Sequence, residues 1–303
     1  MNVDVLCVGN ASYDLVLSVD HHPDADEKCF ASGFIGAGGG PAANAAVSVA
    51  RLGGTAAFAG YLGRDHFGDL HFEELRSEGV ITDLVARGAH PTPLSSILVK
   101  PYGKRAVVTY KSATPVLGPS RVDFSQIRPK AVLFDGHEPK ISVPLAKQFL
   151  GSDIITVLDA GSVHPGTVAL APLCRYLIAS EKFARDFCGE NDPVEAAKKL
   201  ARTAPVAVVT LGAEGLVWRR GGECGRLPSV PVEVVDTTGA GDIFHGAFAL
   251  RTAMGDDLLP ALRYASAAAA LGCTRMGARP GIPKKSEVDR LVQRFPALTN
   301  AYE

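Results

Sequence analysis

The 303-residue chain carries almost no net charge, with thirty-one Lys plus Arg against thirty-two Asp plus Glu, formally −1. That balance removes the bulk attraction that would draw a protein to nucleic acid or to an anionic membrane, so neither partner is expected. No stretch approaches the ~20 apolar residues of a membrane-spanning helix; the Ala-rich run 265–272 is too short. Met1-Asn2-Val3-Asp4-Val5 has no basic region leading into an apolar segment, so no secretory leader is read and a cytoplasmic location is expected. The six cysteines, Cys7, Cys29, Cys174, Cys188, Cys224 and Cys273, form no C-x-x-C pair, and no H-E-x-x-H occurs. A disulfide framework and a thiolate metal site are therefore excluded, and the thiols are expected free and mostly buried. Internal repeats and low-complexity linkers are also missing.

Two phosphate signatures are absent as well. Gly103-Lys104-Arg105 lacks both the leading Gly and the trailing Ser or Thr of G-x-x-x-x-G-K-[ST]. Pro41 stands where a dinucleotide fingerprint beginning at Gly36 and Gly38 needs its third Gly. What the chain does have is 47% apolar residues, enough for a large core, and 32 glycines, about half again the usual ~7% share. The surplus glycines gather in a few segments.

Apolar runs at 3–8, 56–61, 131–135, 154–158, 175–179 and 206–211 alternate with helical patterns at 42–51, 66–77, 143–150 and 194–203. Such alternation predicts a parallel sheet covered by helices on both faces. Helices are expected near 241–254, 257–272 and 286–295. Strand patterns at 15–19, 30–35, 96–100 and 105–110, the last two joined by Pro101-Tyr102-Gly103-Lys104, interrupt the body and are expected to form one small sheet beside it. Its free edge suits a lid and pairing with a second copy. The body then spans 1–13, 37–93 and 113–303, and the lid 14–36 and 94–112.

Asp236-Thr237-Thr238-Gly239-Ala240-Gly241-Asp242 lies between an apolar run at 230–235, read as a strand, and an amphipathic helix. Small residues at a helix N-terminus let an anion approach unpaired N–H groups. Asp242 would repel that anion, yet it is suited to take a proton from an attacking hydroxyl; alone, it also suits an ordinary helix start. The run Gly36-Ala37-Gly38-Gly39-Gly40-Pro41-Ala42-Ala43-Asn44 is read as a loop entering a helix, with Asn44 either capping or offering donor and acceptor to a hydroxylated ligand.

These two segments, in this order, resemble the ribokinase-like, or PfkB, family of carbohydrate and nucleoside kinases. Gly39, Gly40, Asn44, Ala46, Gly53 and Gly63 match its first signature and 236–249 its second, and the likeness spans essentially the whole chain. The resemblance implies a ribokinase-like three-layer α/β fold with a mostly parallel central sheet flanked by helices, plus a small β-sheet lid. It implies ATP-dependent transfer of the γ-phosphate to a sugar hydroxyl, with Mg²⁺. Asp242 matches the catalytic base, and Gly239, Ala240 and Gly241 the anion hole. Asp14, Gly38, Gly39 and Asn44 match the substrate site; Thr210, Gly212 and Gly215 match the ATP site. Asp236 and Thr238, with the loop 273–279, resemble a monovalent-cation (K⁺) site. The family's Asn-x-x-Glu is replaced by Ser180-Glu181-Lys182-Phe183, leaving Glu181 as a candidate for the Mg²⁺ role or as a solvated helix-start acid.

Within the family the chain looks most like the sulfofructose kinases. It shares the run 38–43, the run 235–242 followed by Phe244-His245-Gly246-Ala247, and Cys273-Thr274-Arg275 leading to Gly281-Ile282-Pro283. Lys28 matches a lysine near that substrate's anionic end, whereas His137 stands for an Arg and Thr109 for an Asn. A His cannot grip a sulfonate through two parallel bonds. A monosaccharide or an acidic sugar derivative is thus the expected acceptor, bound in part by Lys28 and His137. A nucleoside held by Phe30 and Phe34, and a non-catalytic ligand-binding protein on the same fold, are the alternatives. A homodimer through the lid is expected.

Overall fold

The computed structural model describes residues 1–111 and 113–294. In chain order its elements are β1 (Asn2–Val8), β2 (Ser12–Ser18), β3 (Gly33–Gly39), α1 (Pro41–Arg51), β4 (Ala56–Gly63), α2 (His66–Ser77), β5 (Val85–Gly88), β6 (Leu94–Val99) and β7 (Arg105–Tyr110). There follow β8 (Arg128–Phe134), α3 (Pro139–Gln148), β9 (Ile155–Ala160), α4 (Pro165–Leu170), β10 (Tyr176–Ser180), α5 (Glu181–Cys188), α6 (Pro193–Leu200) and β11 (Val206–Thr210). A hairpin of β12 (Leu216–Arg220) and β13 (Glu223–Leu227) leads to α7 (Ala240–Ala253), α8 (Leu258–Gly272), α9 (Ala278–Gly281) and α10 (Lys285–Arg294).

Nine strands form one sheet in the order β13-β12-β11-β10-β9-β8-β1-β4-β5, parallel except for the edge hairpin. Its inner strands are apolar on both sides because both faces are covered. Val47 of α1, Phe248 of α7 and Ala265 of α8 bury one face; Leu145 of α3, Phe183 of α5 and Leu200 of α6 bury the other. This is the expected three-layer body. The four strands β3-β2-β6-β7 form a separate small sheet, whose inner face packs Val16, Ile97 and Val99 against Ile35 and Met276.

Several local expectations are corrected. The 230–235 run is not a strand: Pro228 and Pro231 remove ladder donors, Val234 and Val235 are exposed, and Asp236 makes only an isolated bridge to Gly103. The glycine run 36–39 is not a loop but the end of β3, paired with β2 from Ser12. Glycine is required there by close approach, since a Cβ on Gly39 would lie 2.0 Å from the Asp14 carboxylate. The helix expected at 143–150 begins at Pro139, and the short pieces β5, α4, α5, β12 and β13 carried too little periodicity to be read. Two cysteines, Cys7 and Cys174, are buried, and the other four are intermediate. Residue 112 of the expected lid and residue 295 of the last expected helix lie outside the described residues.

α1 and α7 pack closely because Gly246 faces Ala45: a Cβ on Gly246 would lie 2.6 Å from the Ala45 carbonyl oxygen and 3.0 Å from the Ser48 Cβ. Gly246→Val is expected to destabilise the fold by about 1–3 kcal/mol through overpacking. Urea unfolding checks this, and an unchanged midpoint would show that the two helices yield without cost.

Candidate functional site

Everything at the site is placed by the start of α7. Gly239, at φ 76°, turns the chain into the helix, and a Cβ there would lie 2.5 Å from that of Ala278. Ile243 N–H makes the first full-turn bond, to Gly239 O at 2.9 Å. The N–H groups of Gly241 and Asp242 precede it and point outward, so this helix end can hold an anion. Ala240 N–H is engaged more weakly, donating to Thr237 O at 3.3 Å.

Asp242, on the first turn, accepts a hydrogen bond from Asn44 Nδ2 of α1 at 2.8 Å. Burial pushes its carboxyl above the usual range, opposed by the Asn44 bond and by the charges of His245 and Arg105. Asn44 is itself held: its Oδ1 accepts from Arg279 Nε at 3.2 Å, which leaves only the amide NH₂ to face Asp242. Arg279 is almost fully buried. It also meets His71 Nε2 at 3.1 Å and stands 3.6 Å from Glu74, whose Oε2 accepts from Gly38 N–H at 2.6 Å. One polar chain thus runs from the lid strand β3 to Asp242.

Asp14 lies on the inner face of β2, buried, with Ser12 Oγ donating to it at 2.9 Å. Burial is the main cause that raises its carboxyl to about 6, aided by the negative charge of Asp242 and opposed by the hydroxyls of Ser12 and Ser95. Asp135, just past β8, accepts from the backbone N–H groups of Asn10 at 2.7 Å, Ala42 at 3.2 Å and His137 at 2.9 Å, tying the exit of β1 to the start of α1. Asp159, near the end of β9, is raised to about 7 by burial and by Asp242 and Asp135, against the pull of His245 at 3.4 Å. Glu138 is likewise raised to about 7 by burial, although it accepts from Leu117 N–H at 2.6 Å and faces Lys111.

Beside the start of α7 opens a cavity of about 340 Å³, lined by Thr210, Gly212 and Gly215 from the end of β11 and by Ala240, Gly241 and Phe244 from α7. Its walls are largely apolar, of a size for a planar base and a sugar.

The structure therefore bonds Asn44 to Asp242 and sets Asp14 near enough to feel its charge, with Gly39 against Asp14 and Gly38 tied to Glu74, while Ala240 and Gly241 line the cavity together with Thr210, Gly212 and Gly215. The remaining candidates make contacts of their own. Lys28 stands over the exposed ring of Phe30 at 5.1 Å, in the connection between β2 and β3. His137 stacks on His164 at 4.7 Å. Glu181 is exposed at the first position of α5, behind the capping Ser180. Asp236 is fully buried, and its carboxylate accepts from Thr238 N–H, Thr238 Oγ and Gly277 N–H, so it shapes the loop after α8. Phe34 pairs with Leu17 on the outer face of the lid sheet, opposite Asp14, and lines no slot beside it. Asp135, Asp159 and Arg105 were not found from sequence, and His245 and Arg279 were read only as members of matching runs, without these contacts. A lone acid after an apolar strand, as at Asp135 and Asp159, was the available signal, because open α/β sheets carry ligands at the carboxyl ends of their strands. Arg279 gave none.

The pfkB family carbohydrate kinase model matches residues 2–285. The chain is 32% identical to a ribokinase of Bacillus subtilis, over 95% of this chain and 99% of that protein. It is 33% identical to fructokinase-1 of Zea mays, over 87% and 91%. Among solved structures it is similar to an Arabidopsis thaliana ribokinase complexed with ribose and ATP, with a TM-score of 0.81 at 26% identity, covering 97% of this chain and 99% of that one.

The raised carboxyls set a pH dependence. Between about pH 4 and 7 the folded protein retains protons on Asp14, Glu138 and Asp159 that the unfolded chain has released, so stability falls as pH rises through that window. Asp159→Asn removes one of these protons. Its loss of unfolding free energy from about pH 5 to about pH 8 should be smaller than wild type's by at least ~1.4 kcal/mol, the value of one pKa unit. Parallel urea curves at the two pH values check this, and equal losses would show that Asp159 titrates normally.

Proposed function

Because the chain belongs to the pfkB family of carbohydrate kinases, we propose that it transfers the γ-phosphate of ATP to a hydroxyl, in the first place a primary one, of a monosaccharide or acidic sugar derivative. The observation that carries this is Asp242 on the first turn of α7, fixed by Asn44 at 2.8 Å, between outward-pointing amide N–H groups and the buried Asp14. Asp14 binds acceptor hydroxyls, with Gly38, Gly39 and Asn44 forming the wall beside it. Asp242 takes the proton from the attacking hydroxyl, and the N–H groups at Gly239, Ala240 and Gly241 offset charge on the transferring group. The base and ribose of ATP occupy the cavity at Thr210, Gly212 and Gly215.

No group of three or more His, Cys, Asp or Glu side chains that could hold a metal is found among the described residues. Mg²⁺ would come with the triphosphate and offset its charge, and Glu181 is the acid we assign to help hold it. A monovalent ion such as K⁺ near Asp236 and Thr238 would be held by carbonyls of the 273–279 loop, because the Asp236 carboxylate already serves protein donors. For an acidic acceptor, Lys28 and His137 are the groups available at its far end.

The lid sheet has a second face. Leu15, Leu17, Phe34, Leu98 and Val108 share its outer side by strand register, and Phe34 and Val108 are 63% and 73% exposed. A second copy of the chain is the occupant we assign to it. Phe34→Asp is expected to convert a dimer to a monomer in sedimentation velocity; a wild-type monomer, or an unchanged variant dimer, would refute this.

The kinase reading is tested by ADP release from Mg-ATP with potassium present, across ketoses, aldoses, acidic sugars including sulfofructose, and nucleosides. Sugar-dependent turnover is expected, and Asp242→Asn should lower kcat by on the order of 10²–10⁴ with folding unchanged. Turnover with nucleosides alone, or near-normal kcat in the variant, would overturn the acceptor or the assigned base respectively.

A further inference from the structure

Behind the first turn of α7 sits a buried histidine to which the transfer chemistry gives no part. His245 lies one turn after Gly241, on the side of the helix that meets the sheet. Its Nδ1 is 2.6 Å from the Gly241 carbonyl oxygen and 3.4 Å from Asp159 Oδ2 near the end of β9, and its Nε2 is 3.3 Å from the Ile178 carbonyl oxygen of β10. A carbonyl oxygen only accepts, so the short contact places a proton on Nδ1, which donates to Gly241 O. That oxygen has a second lone pair for the helix's own bond. Burial raises the Asp159 carboxyl and His245 opposes the rise, so the two groups attract where the ring has to be held.

The Gly241 oxygen shares one planar amide with the N–H of Asp242. That N–H is among the helix-start donors that no carbonyl of the helix satisfies. The imidazole therefore holds one end of a peptide group whose other end faces the place of an anion. A hydrogen bond accepted by the oxygen polarises the amide and strengthens its N–H as a donor. It also fixes the amide plane. Gly239 is wedged against Ala278, whereas a Cβ on Gly241 would meet nothing within 4 Å among the described residues, so the ring bond supplies here the orientation that packing gives Gly239. Asp242 belongs to the same unit, since burial raises its carboxyl and His245, after the Asn44 bond, opposes that rise.

Resting on the kinase reading above, we infer that His245, held by Asp159, is a positioning residue that orients and polarises the Gly241–Asp242 amide toward the transferring phosphoryl group. It acts through that amide and touches neither acceptor nor nucleotide. In the transfer the acceptor oxygen bonds to the γ-phosphorus, its proton passes to Asp242, the bond to the bridging oxygen breaks, and ADP leaves with the electron pair. A donor fixed and strengthened in advance serves that moment more than it serves the bound nucleotide, so the effect of the ring belongs in kcat and not in KM.

The test compares full-length wild type, His245→Asn and His245→Gln. An Asn amide nitrogen takes the place of Nδ1 and can still donate to Gly241 O, whereas a Gln amide nitrogen takes the place of Nε2 and cannot. With a sugar acceptor, His245→Gln should lower kcat by about 10- to 100-fold, less than deleting a donor outright, and change the KM for ATP by under about threefold. His245→Asn should keep kcat within about threefold of wild type. A ring that merely ties α7 to the sheet would make both variants lose kcat alike, or raise KM with kcat intact; either result overturns the inference. Imidazole nitrogen NMR on the unmodified protein provides a reading that no variant's folding can obscure: a proton on Nδ1 is expected, and a bare Nδ1 would also overturn it. Wild type that turns over no acceptor would instead sink the kinase reading, while the Nδ1 proton is read without turnover.

Discussion

The close approach of α1 to α7 is the constraint from which the site follows. Gly246 lets Ala45 come near enough for Asn44 to reach Asp242 across the interface. The amide of Asn44 could face either way, and Arg279 decides it by donating to the oxygen. With the NH₂ forced toward Asp242, the carboxylate is anchored through Oδ2. If Asp242 is the base, as proposed, a carboxylate held in this way needs no reorganisation when the reaction occurs. The buried arginine would be a burden by itself, since taking a charge out of water is expensive. Glu74 and Glu78 offset part of that cost, and the remainder is balanced against the single orientation it imposes on Asn44.

Acids crowd the carboxyl ends of the parallel strands for a related reason. Asp135 follows β8, Asp159 ends β9, and Asp242 faces both from α7. Each carries a different load: Asp135 accepts three backbone N–H groups and acts as structural ligature, whereas Asp159 has His245 at 3.4 Å and is pushed up to about 7. Like charges so near one another raise the proton affinity of the least satisfied members. A base that must take a proton during the reaction benefits from a setting that raises its affinity without neutralising it. The Asn44 bond and the Arg105 charge, both opposing burial at Asp242, hold that balance.

Much of this was legible in the chain, and the illegible part has a common cause. The alternation of apolar runs and helical patterns led directly to the three-layer body, because parallel strands buried on both faces leave an unmistakable imprint. The small-residue turn before Asp242 marked the start of α7 for a similar reason, since local backbone geometry limits residue choice at that spot. What could not be read is whatever depends on distant contacts. Arg279 reads as an exposed surface residue until α9 folds it beneath α1, and Arg105 reads as part of a plain hairpin until the hairpin meets Thr237. Gly36, Gly38 and Gly39 mislead in the opposite direction. They look like a flexible loop, yet they are strand residues made small by Asp14, His71 and Glu74 pressing from the side. The apolar run before Asp236 misleads through composition, because Pro231 and the exposed Val234 serve the cavity wall rather than a ladder.

Strand β2 shows why the lid cannot be treated as a passive cover. Successive side chains alternate between faces, so Asp14 and Val16 point into the body while Leu15 and Leu17 point out. The same seven residues therefore carry the buried acid proposed to bind the acceptor and a row of the outer apolar face. A shift of one residue in register would exchange the two sets, placing a carboxylate on the outer surface and leucines beside Asp242. The register is pinned on both sides, by antiparallel β3 and by parallel β6, and by the single contact distance that Gly39 allows to Asp14. A second copy covering the outer face would stiffen β2 and, through the sheet, hold β7 and Arg105 over the α7 loop.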